Sequence, residues 1–163
     1  MANYEKLDFW SLKAQKEGYP ARSIYKLKEM DEKFGLLKRG MKVLDLGAAP
    51  GSWSLYVLRK MASWGEAANA GRPASALVSI DLAPLSRVYD QGLFDRSNFF
   101  FIQGDMTFPE NTESILSHAP YNLVVSDAAP ATTGNRSVDT LRPLTWLKWP
   151  CIMPKPPWPR AVI

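Results

Sequence analysis

Several aspartates and one glycine-rich turn recur at matching places in this 163-residue chain, each just after a short apolar run. Residues 41–46 run into Gly47-Ala48-Ala49-Pro50-Gly51, residues 77–80 into Asp81, residues 98–102 into Gly104-Asp105, and residues 123–125 into Ser126-Asp127. Carboxylates and open backbone amides at such points can hold a small polar ligand. A dinucleotide needs G-x-G-x-x-G, whose amides and following helix meet a pyrophosphate. Here the glycines are spaced Gly47-x-x-x-Gly51, and Pro50 has no N–H to offer. The carboxylates of Asp45, Asp81, Asp105 and Asp127 would repel phosphate. They suit a ligand with positive charge and hydroxyl donors, and the sulfonium, amino group and ribose of S-adenosylmethionine fit that description. Any one such aspartate can instead cap the next helix. The argument therefore rests on their recurrence.

Positioning groups this way requires parallel strands joined by crossovers. Short β-branched and aromatic runs separated by helix-length segments read as βαβ units, and ligands in open sheets of that kind sit outside the carboxyl ends of the strands. The spacing predicts an N-terminal arm or short helix over residues 1–20. It predicts a helix from Arg22 to Phe34 with Ile24, Leu27, Met30 and Phe34 in one stripe, and Arg22, Lys26, Glu29 and Lys33 opposite. Gly35 is a natural stop. Ser52 to Met61 reads as the first crossover helix with Leu55 and Leu58 inward, and 62–76 as a surface insertion. A short helix follows within residues 106–119, anchored by Ile115 and Leu116.

Residues 143–163 break the pattern, holding six of the thirteen prolines and three of the six tryptophans. Proline removes a ladder donor, so this stretch reads as extended chain rather than a central strand. The fourth strand, with Val124 and Val125, would then have an open apolar edge. The sheet is expected to be α/β, mostly parallel and incomplete at its C-terminal side.

Size and composition bound the rest. The chain fits one domain, with 46% hydrophobic residues and no run approaching the roughly 18 apolar residues of a membrane helix. No signal-peptide pattern is present. Cys151 alone forms no internal disulfide, which suits a cytoplasmic protein. His118 has no Cys or His cluster around it, so no metal site is expected. The net charge of +4 is uneven: ten Lys/Arg face six Asp/Glu in residues 1–42, five face nine in 43–127, and five face one in 128–163. Basic ends around an acidic centre suit a polyanion at the ends and a different ligand in the middle.

The motifs Arg22-Ser23-Ile24-Tyr25-Lys26-Leu27, Val43-Leu44-Asp45-Leu46-Gly47-Ala48-Ala49-Pro50-Gly51-Ser52-Trp53-Ser54 and Ser126-Asp127-Ala128-Ala129-Pro130 together resemble the FtsJ/RrmJ family of ribosomal RNA 2′-O-ribose methyltransferases. The resemblance covers about residues 8–142, including Gln103-Gly104-Asp105 and Val138-Asp139. It implies a Rossmann-like class I methyltransferase domain over 1–142, a non-matching tail over 143–163, and S-adenosylmethionine as cofactor. Its cofactor contacts would be Gly47, Gly51, Trp53, Asp81, Asp105 and Asp127, with Asp81 on the ribose hydroxyls and Asp105 on the adenine amino group. By type alone Trp53 reads as core, and Lys26 as a solvated lysine.

The family works with a Lys-Asp-Lys-Glu set around the target ribose. Lys26 matches the first lysine and Asp127 the aspartate. Beyond Arg142 neither Lys148 nor Lys155 sits in a matching motif, and no glutamate follows Glu113. The resemblance thus implies an enzyme impaired by a divergent end, as from a truncated or frameshifted parent. Its partner would be ribosomal RNA or the large ribosomal subunit, of the 23S type and at a uridine, met across Arg22, Lys26 and Lys33, with Lys13 and Lys16 on the arm, by a monomer. A transfer-RNA substrate, a non-catalytic binding module and a nicotinamide dehydrogenase are the competing readings, the last disfavoured by the glycine spacing.

Overall fold

The computed structural model describes residues 8–65 and 74–127. The elements run α1 (Phe9–Lys16), α2 (Ile24–Phe34), β1 (Lys42–Leu46), α3 (Ser52–Ser63), β2 (Ala76–Asp81), β3 (Phe99–Gln103), α4 (Pro109–Ser117) and β4 (Leu123–Ser126). The four strands form one sheet in the order β3-β2-β1-β4, and every pairing is parallel. Each expected strand is present, and each crossover returns the chain so that all four carboxyl ends share one rim. Most of the surface insertion, the proline-rich tail, Cys151 and Val138-Asp139 lie outside the described residues.

Strand periodicity divides the core in two. Val43, Leu77, Val125 and Phe99 face α2 and α3, where Ile24, Leu27, Leu55 and Leu58 are buried against them. Leu44, Val78, Ile80 and Val124 face the other way, toward Ile115 and Tyr121. With both faces covered, the strands read as continuous apolar runs rather than alternating ones. Among the described residues β4 pairs only with β1. Its Val124 and Val125 are nonetheless buried, as Leu123 is.

Two anchors differ from expectation. On α2 the buried stripe is Ile24, Leu27 and Asp31, while Phe34 is 63% exposed. The steps of three and four residues are helical, but the last member is a carboxylate, which a hydrophobic pattern cannot reveal. Asp31 accepts bonds from the Leu37 amide (2.8 Å) and the Tyr56 hydroxyl (2.9 Å), and Lys60 lies at 3.1 Å. α2 is thereby fastened to α3 through polar contacts as well as apolar packing. On α4 only Ile115 is buried, and Leu116 is 40% exposed, because the nine-residue helix turns a single narrow face to the sheet. Gly35 ends α2 as expected, taking φ +59° so that its amide reaches the Asp31 carbonyl at 2.8 Å.

Burial pushes the Asp31 carboxyl up, yet the Leu37 amide, Tyr56 and Lys60 more than offset this and hold it below the ordinary range. A lowered folded-state value means that its contribution is complete above the ordinary carboxylate range and fades as pH falls through the folded-state value. Asp31→Asn is expected to cost about 1–3 kcal/mol at neutral pH. Urea unfolding would register this as a lower midpoint with an unchanged slope.

A candidate ligand site at the carboxyl ends of the strands

The turn after β1 is built by its glycines and by Asp81. Gly47 has φ +76°, and the amides of Gly47 and Ala48 both donate to the Ile80 carbonyl, at 2.9 and 3.1 Å. Asp81 then clamps the turn from below. Its Oδ2 accepts from the Ala49 amide at 2.9 Å and its Oδ1 from the Ala83 amide at 2.8 Å. Gly51 stands at φ +109°, and a Cβ there would come within 3.1 Å of Phe94 Cζ. Only glycine suits that point, because the conformation is strained for other residues and the space is taken. Each Asp81 oxygen keeps a further lone pair, so a half-buried carboxylate that holds the loop can still accept hydroxyl donors at the rim.

Asp105 stands at the next strand end, where its Oδ1 accepts from the Thr107 amide (2.8 Å) and hydroxyl (2.7 Å). The Thr107 hydroxyl first, then its amide, lower the Asp105 carboxyl below the ordinary range. Both Asp81 and Asp105 therefore also hold the local turn, but neither caps a helix: α4 has Phe108 at its N-cap and no side-chain capping bond.

Among the described residues, the polar contact that spans the most sequence joins Lys26 on α2 to Asp127 after β4, Nζ to Oδ1 at 2.8 Å. These two sequence-matched residues, 101 positions apart, do meet. They border a cleft of about 450 Å³ also lined by Glu29, Met30, Lys33, Phe34, Trp53 and Ser126. Exposed Phe34 thus has a place as one wall of this cleft.

The N-terminus of α3 positions Lys26. Ser52 Oγ accepts from the Ala21 amide at 2.8 Å and donates to the Ala21 carbonyl at 3.2 Å, and Trp53 Nε1 donates to the Ser23 carbonyl at 2.9 Å. These bonds hold the segment that leads into α2, so the glycine-rich turn and the lysine helix form one unit. Trp53 is 4% exposed and lines the cleft, which makes it both a core residue and a wall of the cleft. Ser52 was not foreseen as a structural residue. Its place at the start of the crossover helix, where hydroxyls bond backbone groups, was the available signal.

Asp45 does not join its fellow aspartates at the rim. It is 1% exposed beneath α3, with Oδ2 accepting from Ser54 Oγ at 2.7 Å and Oδ1 buried without a partner. Ser54 in turn lies 2.9 Å from Ser79 on β2. Burial raises the Asp45 carboxyl to about 7, opposed by the Ser54 bond and assisted by the negative charges of Asp127 and Asp81. Three carboxylates line the rim and a fourth lies under it.

The basic residues sit on α2 and at its approach. Arg22 pairs with Asp8, whose Oδ1 also caps α1 by accepting from the Ser11 amide at 2.8 Å. Lys33 lines the cleft, with Nζ 5.2 Å from the Phe34 ring centroid. On α1, Lys13 lies over the rings of Trp10 and Tyr25.

Residues 19–152 match the family model described as FtsJ-like methyltransferase, ten residues past the boundary read at 142. Among curated proteins, the ribosomal RNA large subunit methyltransferase E of Treponema denticola is 50% identical over 140 residues, covering 85% of this chain and 62% of that protein. The protein of the same name from Treponema pallidum is 42% identical over 137 residues (84% and 61%), and that of Borrelia duttonii 45% over 137 residues (84% and 62%). The chain thus spans a little over 60% of the length of these relatives. Among solved structures, a protein from Plasmodium falciparum described as a ribosomal RNA methyltransferase superposes with a TM-score of 0.55 at 26% identity, over 76% of this chain and 64% of that one.

The buried Asp45 yields a test of the electrostatics. Because its folded-state value is raised, the folded protein keeps a proton that the unfolded chain releases. Stability should therefore decline as pH rises from about 3.8 toward about 7. Asp45→Asn retains a partner for Ser54 and cannot ionise, so it should lack this decline. Urea unfolding of both proteins at pH 5 and pH 8 checks this, and parallel profiles would refute it.

Proposed function

The chain belongs to the FtsJ-like methyltransferase family, and from that premise we propose that it is built to pass a methyl group from S-adenosylmethionine to a ribose 2′-hydroxyl of ribosomal RNA. The observation that carries this reading is the Lys26–Asp127 pair at 2.8 Å, set at the same rim as the glycine-rich turn and Asp81. A nucleotide-diphosphate ligand is poorly served there. Asp81, Asp105 and Asp127 are three carboxylates, and electrostatics favours a cationic ligand rich in hydroxyl and amino donors.

In this reading the turn from Gly47 to Gly51 and Trp53 flank the methionine end of the cofactor. Asp81 accepts from the ribose hydroxyls and Asp105 from the adenine amino group. When bound, S-adenosylmethionine supplies a methyl group made electrophilic by its positively charged sulfur. The chain's own residues supply position and charge. Lys26 spends one N–H on Asp127 and can offer the others to the oxygen of the target ribose, holding it at the cleft. Asp127 fixes the lysine's direction and sets negative charge beside a cationic ligand. Arg22 and Lys33 meet backbone phosphates, which position RNA without reading its sequence. The relatives named for ribosomal RNA methylation support an RNA substrate of that class.

Lys26 and Asp127 match two of the family's four-residue set, the first lysine and the aspartate. General acid–base groups typically contribute about 10²- to 10⁴-fold. The same observation supports a second reading, a module that binds cofactor and RNA without catalysis. Calorimetry with S-adenosylmethionine separates the steps. Wild-type chain should bind it, Asp81→Asn should weaken binding about tenfold or more, and Lys26→Ala should leave it within about threefold. Labelled methyl transfer to unmodified large-subunit RNA then decides: slow transfer abolished by Lys26→Ala supports the enzyme, and binding without transfer supports the module. Absence of cofactor binding by folded protein would overturn both.

A further inference from the structure

A helix of a compact domain normally turns its apolar side inward, and α1 does the reverse. Its buried residue is Ala14, whereas Phe9, Trp10 and Leu12 are 70%, 50% and 52% exposed. Two of these are aromatic, and they lead to a third ring. Phe9 and Trp10 meet edge-on with centroids 5.5 Å apart, and Trp10 meets Tyr25 of α2 at 5.3 Å. The Lys13 ammonium lies 5.3 Å from the Trp10 centroid and 5.1 Å from that of Tyr25. Tyr25 directly precedes Lys26, so the row of rings ends on the helix that carries the Lys26–Asp127 pair. Residues 8–28 hold five Lys/Arg against two Asp/Glu.

We propose that Phe9 and Trp10 form a stacking platform for an unpaired base of the RNA, with Lys13 and Arg22 at the adjoining phosphates. The inference rests on the RNA-substrate reading above and adds where, and by what contact, the strand is held. Exposed flat rings interleaved with cations are the composition that binds single-stranded nucleic acid, because every base has a π-face and every linkage a negative charge. A second copy of the chain suits the patch less well, since it would bring the same surplus of positive charge against it. Tyr25 carries the row of rings onto α2, the helix whose Lys26 lines the cleft. A base stacked on α1 would thus leave the neighbouring strand directed along α2 toward Lys26. It would act as an anchor outside the reacting centre and would not touch the methyl donor.

The test uses the 163-residue chain and a fluorescein-labelled single-stranded oligoribonucleotide, read by anisotropy. Stacking on an aromatic side chain is worth about 1–3 kcal/mol per base, so Trp10→Ala should weaken binding roughly 5- to 150-fold. Trp10→Phe should restore most of it, and Phe9→Ala should weaken binding in the same direction. The dependence of affinity on salt should be unaltered by Trp10→Ala, while Lys13→Gln should lower the slope by about 0.7. Cofactor binding by calorimetry should be the same in all variants, which shows that they are folded. RNA affinity equal to wild type in Trp10→Ala would overturn the platform alone. A wild-type chain that binds cofactor but no RNA would overturn it together with the RNA-substrate reading. A concentration-dependent dimer that Trp10→Ala dissolves, with RNA affinity unchanged, would assign the patch to a second copy instead.

Discussion

Asp81, Asp105 and Asp127 stand at one rim of one sheet with Asp45 buried beneath, where Asp127 and Asp81 press on it electrostatically. The architecture around them is the set of ways in which that charge is met. Asp127 takes the ammonium of Lys26. Asp81 is held by two backbone amides, and Asp105 by a threonine hydroxyl and amide. Asp45, sealed from water, has only a serine hydroxyl, and its carboxyl accordingly rises to about 7. The compensations differ in kind: a full charge, fixed dipoles, and a retained proton. The fixed dipoles and the serine bond come from the turns and helix starts that also shape the rim, so charge balance and local geometry are solved by the same residues.

The ammonium at Asp127 arrives from a distant helix. α2 is not adjacent to the sheet's rim by chain order, and three contacts hold it there. Ser52 and Trp53 grip the segment before it, Ile24 and Leu27 pack inward, and Asp31 accepts from groups before β1 and on α3. Since Ser52 and Trp53 directly follow Gly51, a displacement of the turn would move the lysine helix with it. The glycine-rich turn and the lysine side of the cleft are mechanically one part.

Much of this was legible in the chain. Parallel strands could be read because doubly buried strands are written as uninterrupted apolar runs, and Val43-Leu44, Leu77-Val78 and Leu123-Val124-Val125 are such runs. The meeting of Lys26 and Asp127 followed from motif resemblance. No local pattern links residues 101 positions apart, and Lys26 by itself looks like any solvated lysine. What escaped the sequence were the polar members of buried faces. Asp31 sat where Phe34 was expected, and Asp45 was placed at the rim although its strand position directs it under α3. In both cases the partners that make burial tolerable, Tyr56 and Ser54, come from α3, and pairing across elements leaves no periodic trace.

The order of the strands has a temporal consequence. β1 lies between β2 and β4, and its partner β4 begins 80 residues later, with Val43 opposite Leu123. At ribosomal speeds of roughly 5–20 residues per second, the nascent chain spends on the order of 4–16 s with one side of its central strand unmatched. Asp127 is made later still, so Lys26 stays without its counterpart until the described sheet is finished. Throughout that interval a chaperone has a bare strand to guard.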